Sequence, residues 1–479
     1  MFETGIRQLR MAFGMAWGYR VNPRNVERLV EDALATLAEF GEPGADVGQL
    51  TEGPLSDPEA RRHFAATGMR RTARRLAARS PFYARRFAAA DVHPDRLDPA
   101  DLASIPVTIK RDLIREPRAF LCPDAPPHLA TRTTGTTGRP AEIWMSRYEM
   151  SLWPALGALG GVLRDDLRPD DVMQVNISSR ATAAVHLDVA GCRLVGVGCR
   201  VIGMIPPDEA LDALADTDGG ATLLSTSPSY LGELETAARR RGLGPADFRL
   251  RRIDVGGEIL SPSLAAAARE TFGVPRVADS FGMTEVLPVS GRTCSQGHLH
   301  HDINLGLVEY LDLDTGAPAA PGALATVVIT PFYPYRDCMP VFRYDTRDMV
   351  RRLPDDDLTC EVSGLPATGP ILGKADHLLR TGPGRAVTPR ELIEAVESLP
   401  TRPWPARFRA TAEDGRVRLT VPEAAIDGFG HAAALRHFAE RGLDVDLSLV
   451  PDEEAAALRP LRCDLRETTF VARPALIGA

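Results

Sequence analysis

Between Ser146 and Asp279 short apolar runs alternate with amphipathic stretches, and no other feature constrains the fold of this chain so tightly. Asp171–Ile177, Arg193–Ile202, Ala221–Ser225, Leu250–Val255 and Arg276–Asp279 read as strands; Ser146–Gly160, Pro207–Ala215, Pro228–Arg241 and Ser261–Phe272 read as helices. Strands that alternate with helices pair in parallel, so the expected fold is α/β with a doubly wound sheet. Ligands of such sheets bind beyond the carboxyl ends of the strands. Gly256-Gly257-Glu258 and Asp279-Ser280-Phe281-Gly282-Met283-Thr284-Glu285 stand at two of those ends.

A second feature lies just before the alternation. Thr133-Thr134-Gly135-Thr136-Thr137-Gly138-Arg139-Pro140 holds four Thr and two Gly in eight positions. Glycine reaches backbone angles that other residues avoid, so successive N–H groups can turn inward as an anion-binding nest. Threonine hydroxyls add short donors, and Arg139 adds a forked, permanent charge suited to phosphate. The spacing differs from the G-x-x-x-x-G-K-[ST] loop of common nucleotide hydrolases.

The flanking segments have other textures. Residues 1–130 read as helical, with Val26–Phe40 and Arg61–Ala90 carrying apolar residues at three- and four-residue spacing. From 291 to 370 short strands take over: Val308–Leu313, Ala325–Thr330, Val341–Tyr344 and Met349–Leu353. This part suits a small barrel-like sheet attached to the 131–290 core. Residues 371–479 read as a small α+β unit with helix Pro389–Leu399, a hairpin over Arg407–Val421 turning at Asp414-Gly415, helix Ala432–Arg441 and strand Val445–Val450. A chain of 479 residues needs more than one core, in line with this division.

The net charge of −8 argues against nucleic acid as a partner. No run of about 18 apolar residues and no leader pattern interrupts the chain, so no membrane contact and a cytoplasmic location are expected. Seven cysteines at irregular spacing favour free thiols in a reducing compartment. Only Lys110 and Lys374 are lysines; almost all of the positive charge is arginine.

Taken in order, these blocks resemble the adenylate-forming superfamily, in its phenylacetate–CoA ligase-like branch, over roughly residues 70–479. The Thr/Gly loop is similar to the family's Ser-Ser-Gly-Thr-Thr-Gly-Lys-Pro phosphate loop. Ser280–Glu285 resembles Tyr-Gly-x-(Thr/Ser)-Glu, Phe342–Asp348 resembles Ile-Arg-Tyr-Arg-Thr-Gly-Asp, and Gly373-Lys374-Ala375-Asp376 resembles the hinge Gly-Arg-x-Asp. Ser80-Pro81-Phe82-Tyr83 and Pro106–Leu113 are typical of the branch. The resemblance implies ATP and Mg²⁺, a large N-terminal domain and a mobile C-terminal one turning about Lys374–Asp376.

It also implies residue roles. Thr133, Thr134, Gly135, Thr136, Thr137, Gly138 and Arg139 would hold phosphates, and Gly257, Glu258, Asp279, Ser280, Phe281, Gly282 and Met283 would line the adenine site. Thr284 would meet the α-phosphate, Glu285 would hold Mg²⁺, Asp348 would accept from the ribose hydroxyls, and Lys374 would take the hinge position. Family members carry a C-terminal lysine that bridges the attacking oxyanion and the α-phosphate. Arg459 stands in its place here, and a guanidinium is planar, forked and bulkier than an ammonium. Arg347 stands where glycine is usual. Some members of the branch hold a structural zinc; Cys294, His300 and Cys360 match three of its ligands, and His298, His301 or Cys338 would supply the fourth. Around the acyl pocket the sequence offers Arg180 and His186, without an apolar aromatic wall.

Three functions are expected from this. The first is ATP-dependent activation of a carboxylic acid, aromatic by resemblance, for transfer to CoA, a carrier thiol or an amine. The second is activation of another oxyanion, such as nitrite, for N–N bond formation on an aryl amine. The third is a nucleotide-binding protein that has lost turnover. Monomer and homodimer both stay open.

Overall fold

The computed structural model describes residues 19–41, 56–133, 140–178, 182–215, 219–354, 358–362, 364–455 and 458. Helices α1 (Pro23–Phe40), α2 (Pro58–Arg79) and α3 (Pro81–Ala89) come first. Each starts with proline behind a polar cap: Asn22, Asp57 and Ser80 accept hydrogen bonds from the first-turn N–H groups. The single helix expected over Arg61–Ala90 is therefore two. Ser80 is extended, and Pro81 has no N–H with which to continue α2. Helix α4 (Lys110–Arg115) follows.

The hairpin of β1 (Pro127–Arg132) and β2 (Glu142–Ser146) leads into α5 (Arg147–Leu163), whose Ser146–Glu149 capping box closes its first turn. Next come β3 (Val172–Asn176), α6 (Thr182–Val195), β4 (Gly198–Val201), α7 (Pro207–Ala215), β5 (Leu223–Thr226), α8 (Pro228–Arg241), β6 (Arg252–Gly256), α9 (Pro262–Phe272) and β7 (Val277–Gly282). The expected strand Arg193–Ile202 is thus shorter, because α6 runs through Arg193. An apolar run of this kind suits helix or strand equally. The need to cross between the parallel neighbours β3 and β4 selects the helix, which ends at Gly196 with φ +91°.

The main sheet has the order β4-β3-β5-β6-β7-β8-β9. Strands β3–β7 pair in parallel, while β8 (Ser290–Thr293) and β9 (Leu299–His301) extend the sheet antiparallel beyond residue 290. One face of β5–β7 packs under α7–α9 through Leu224, Ile253, Val255, Leu264 and Phe272. The other packs under α1, α5 and α6 through Val30, Val162, Val175, Cys192 and Leu223.

A second sheet, β10 (Gly306–Asp312), β11 (Leu324–Pro331), β12 (Tyr344–Arg351) and β13 (Gly373–Lys374), is antiparallel throughout. Residues Val341–Arg343, expected as part of a strand, precede β12 in irregular backbone, because Arg343 adopts φ +50°. The largest core joins this sheet to the N-terminal helices. Tyr83, Phe87, Phe120, Phe332, Phe342 and Tyr344 are buried together, with Phe82 stacked on Phe120 at 4.0 Å between ring centroids. Each such ring contributes about 2–3 kcal/mol by burial.

The C-terminal part has a hairpin of β14 (Leu379–Gly382) and β15 (Arg385–Val387), helix α10 (Pro389–Glu397), β16 (Arg409–Glu413), β17 (Arg416–Pro422), α11 (His431–Glu440), β18 (Val445–Val450) and α12 (Asp452–Ala455). Strands β16 and β17 turn at Asp414-Gly415, both left-handed (φ +47° and +79°), as a two-residue hairpin requires. The domain limits at 130, 290 and 370 remain a proposal.

Candidate active site

The ends of β6 and β7 lie side by side at the carboxyl edge of the main sheet, and the neck of the Thr/Gly loop is closed by its own hydrogen bonds. Thr133 follows β1, and its hydroxyl oxygen accepts from the Ala141 N–H at 3.0 Å while its own N–H donates to the Ala141 carbonyl at 3.0 Å. These bonds fasten the neck of the Thr/Gly loop. Thr134, Gly135, Thr136, Thr137, Gly138 and Arg139 lie outside the described residues, as do Arg180 and Arg459.

After β6, Gly257 turns with φ +79°, and Glu258 accepts from the Ser229 N–H at 2.9 Å at the start of α8. Next door, a side chain on Gly256 would press to 3.0 Å from the Ser280 carbonyl. Strand β7 carries Asp279, Ser280, Phe281 and Gly282, so Met283, Thr284 and Glu285 fall just beyond its end. Burial pushes Asp279 up to about 6, with the Arg390 guanidinium opposing the shift.

Glu285 is 3% exposed, and its charge adds to the burial that raises the Tyr344 hydroxyl. Lys110 is within reach of its charge: burial pushes the Lys110 ammonium down, and Glu285 opposes the shift. Pairing of Thr108 with Tyr344 places that lysine: the Thr108 N–H donates to Arg343 at 2.8 Å, and the Asp345 N–H donates to Thr108 at 2.9 Å. A few residues along β12, Asp348 accepts from Lys374 Nζ at 2.8 Å, and that ammonium also donates to the Thr346 carbonyl at 2.9 Å. Burial raises Asp348; Lys374 holds it down. Arg347, at φ +63°, occupies backbone that favours glycine, and its guanidinium pairs with the hinge carboxylate Asp376. The sequence reading missed Lys110, Tyr344 and Arg336. Composition held one signal: both lysines of an arginine-rich chain stand at this site.

On the far side of α6, His186 Nε2 lies 3.1 Å from the Met150 carbonyl. Asp188, two residues on and on the opposite side of α6, accepts from Ser225 Oγ at 2.9 Å, and burial pushes it up to about 7. Asp254 neighbours Ser225 across the sheet and pairs with Arg252 at 2.7 Å. This face of β5 and β6 is polar.

A separate cluster sits at the β8–β9 turn. The ligand atoms of Cys294, His298, His300 and Cys360 lie within 4.8 Å of one another. Nδ1 of His298 is buried with no hydrogen-bond partner among the described residues, and Cys360 Sγ is 3.3 Å from His300 Nε2. Burial lowers His300 to about 4, which keeps it neutral, the form in which imidazole binds a metal. The fourth position falls to His298. His301 instead meets the Tyr310 hydroxyl at 3.1 Å, and Cys338 lies outside the cluster. Two thiols and two imidazoles in a buried, closed set suit structural Zn²⁺. Among the described residues no helix is long and apolar enough to cross a membrane.

The family model described as "AMP-binding enzyme" matches residues 125–321. The chain is 26% identical over 336 residues to the phenylacetate-coenzyme A ligase of Pseudomonas putida, covering 66% of this chain and 71% of the relative. It is 24% identical over 406 residues to the phenylacetate-coenzyme A ligase of Aromatoleum evansii, covering 82% and 83%. Among solved structures, 2-hydroxyisobutyryl-CoA ligase in the postadenylation state superimposes with a TM-score of 0.72 at 19% identity, over 88% of this chain and 92% of that one.

Proposed function

We infer the reaction from one premise: the chain belongs to the phenylacetate–CoA ligase-like branch of the adenylate-forming superfamily and is an AMP-forming ligase. Its substrate is an organic acid, aromatic by kinship. The carboxylate attacks the α-phosphorus of ATP and pyrophosphate leaves; a thiol of CoA or of a carrier, or an amine, then displaces AMP. The observation that carries this reading is the electrostatic grouping of Lys110, Glu285, Tyr344, Asp348 and Lys374 at the end of β7 and along β12.

The roles follow from charge and reach. The Thr/Gly loop with Arg139 binds the outer phosphates. Thr284 meets the α-phosphate and Asp348 the ribose, once Lys374 yields it. Glu285 is a hard oxygen donor and suits Mg²⁺, which neutralises phosphate charge. Gly257, Glu258 and the β7 residues flank the base. By resemblance Arg459 is assigned to the attacking oxyanion, and Arg180 and His186 are assigned to the acid. Cys294, His298, His300 and Cys360 hold Zn²⁺ as a brace.

A second reading draws on the polar face formed by Asp188, Ser225 and Asp254, which offers an aryl group little apolar surface. It favours a small oxyanion such as nitrite, adenylated for attack by an aryl amine. Pyrophosphate release across a panel of aryl acids, and with nitrite plus aryl amines, separates the two. Silence in every case supports a nucleotide-binding protein without turnover. In whichever arm is active, Glu285→Gln lowers the rate at least about 100-fold with an unchanged melting curve. Equal rates for variant and parent remove Glu285 from the site.

A further inference from the structure

Arg336 is completely buried, in the connection between β11 and β12, and no site motif includes it. Taking a guanidinium out of water is costly unless its donors are used. The buried carboxylate of Glu149, whose charge favours the guanidinium, does not use them. That group accepts from the backbone N–H groups of Ser146 at 2.6 Å, Asp337 at 2.7 Å and Cys338 at 3.1 Å. The fork of Arg336 goes to backbone carbonyls instead. Nε donates to Met339 at 2.8 Å; Nη1 donates to Thr284 at 3.1 Å and to Leu287 at 2.7 Å. Nη2 has no hydrogen-bond partner among the described residues.

Nη1 therefore clasps both ends of the short loop that carries Glu285. The clasp stands on a rigid base. Trp153 of α5 lies under the guanidinium at 5.5 Å, and its indole N–H donates to the Tyr335 carbonyl at 2.8 Å. A planar fork serves three carbonyls at once; an ammonium on a flexible stem does not. We propose that Arg336 is a positioning residue for the adenylation step: it fixes the Thr284–Leu287 loop so that the Glu285 carboxylate is held ready for the nucleotide-bound Mg²⁺. This rests on the reading of Glu285 given above. Groups that orient a metal-binding carboxylate typically change metal affinity about 10–100-fold when lost.

The test compares ATP affinity with and without Mg²⁺, by calorimetry, for the full-length parent, Arg336→Lys, Arg336→Gln and Trp153→Phe. For the two Arg336 variants the expected result is a loss of about tenfold or more in the gain that Mg²⁺ confers, with Mg-free affinity within about twofold of the parent. Trp153→Phe removes the indole hydrogen bond and should lower the melting temperature while keeping the Mg²⁺ gain. An unchanged gain in a folded Arg336 variant overturns the inference. So does an equal loss in Trp153→Phe, or failure of both Arg336 variants to melt cooperatively, since each marks a merely structural role. A parent whose ATP affinity ignores Mg²⁺ refutes the Glu285 reading itself.

Discussion

At the scale of single residues, the two lysines are the most informative part of the composition. Where arginine serves nearly every basic position, a retained lysine marks a place for a compact ammonium. Lys374 holds Asp348 at 2.8 Å, and Lys110 faces Glu285 from a segment fastened to the strand that carries Tyr344. With arginine at position 459, Lys110 is the other ammonium available to the reacting phosphate. Lys110→Arg keeps the charge and should still cut pyrophosphate release about 100-fold, the scale of losing one well-placed electrostatic donor. A rate within about twofold of the parent would place Lys110 outside the chemistry. None of this was legible from the Lys110 motif alone, because the approach to Glu285 depends on a pairing between residues 108 and 344.

Among elements, the β8–β9 turn shows how local and distant order combine. Cys294, His298 and His300 lie close in sequence because the antiparallel pair turns tightly, with the Cys294 N–H donating to the His298 carbonyl at 2.8 Å. Cys360 arrives from far along the chain, and with Glu361, which accepts from the Ser295 N–H at 2.9 Å, it ties the β12 exit to this turn. Protein purified without a histidine tag should hold one zinc per chain. Cys360→Ala should lose it and melt several degrees lower, since a closed structural site contributes folding energy directly. Full zinc content in the variant, or unchanged melting after chelation, would dismiss the site. Three of its ligands were legible by resemblance. The choice of His298 over His301 was not, because no strand was expected over Leu299–His301, and it is this strand's alternation that puts His298 on the side of His300 and His301 opposite.

Across the whole molecule, the C-terminal part meets the large domain through α10 and α9. Ser263 Oγ donates to the Glu397 carbonyl at 3.0 Å, and Arg390 reaches the Leu260 carbonyl at 3.0 Å. Glu397 itself is 5% exposed, accepts from the Ala406 N–H at 3.0 Å and leaves Oε2 without a partner among the described residues. Burial pushes it up to about 7 from an ordinary 4.5. A raised acid binds its proton more tightly in the folded chain. Its stabilising contribution is therefore fully present below 4.5 and is lost as pH rises through about 7. Glu397→Gln should match the parent in acid and exceed it by about 3 kcal/mol at alkaline pH, read as melting temperature against pH. A difference that does not grow with pH would mean that Glu397 ionises freely.

The sequence by itself determined most of the alternating elements between Ser146 and Asp279, with their order, and the main elements of the C-terminal part. Capping serines and prolines, the alternation between Ser146 and Asp279, and the Asp414-Gly415 turn act over a few residues, through sterics and backbone hydrogen bonds that neighbours along the chain satisfy. The same short-range rules placed Gly257 and Thr284–Glu285 at strand ends, where a parallel sheet opens to ligands. Tertiary structure alone decided that α6 runs through Arg193, that Arg343 breaks the approach to β12, and that Lys110 and Tyr344 come within reach of the Glu285 charge while Arg336 holds the loop that carries it. Those outcomes depend on packing between segments distant in sequence. Burial energy is non-directional along the chain, so no periodicity announces which distant residues it will bring together.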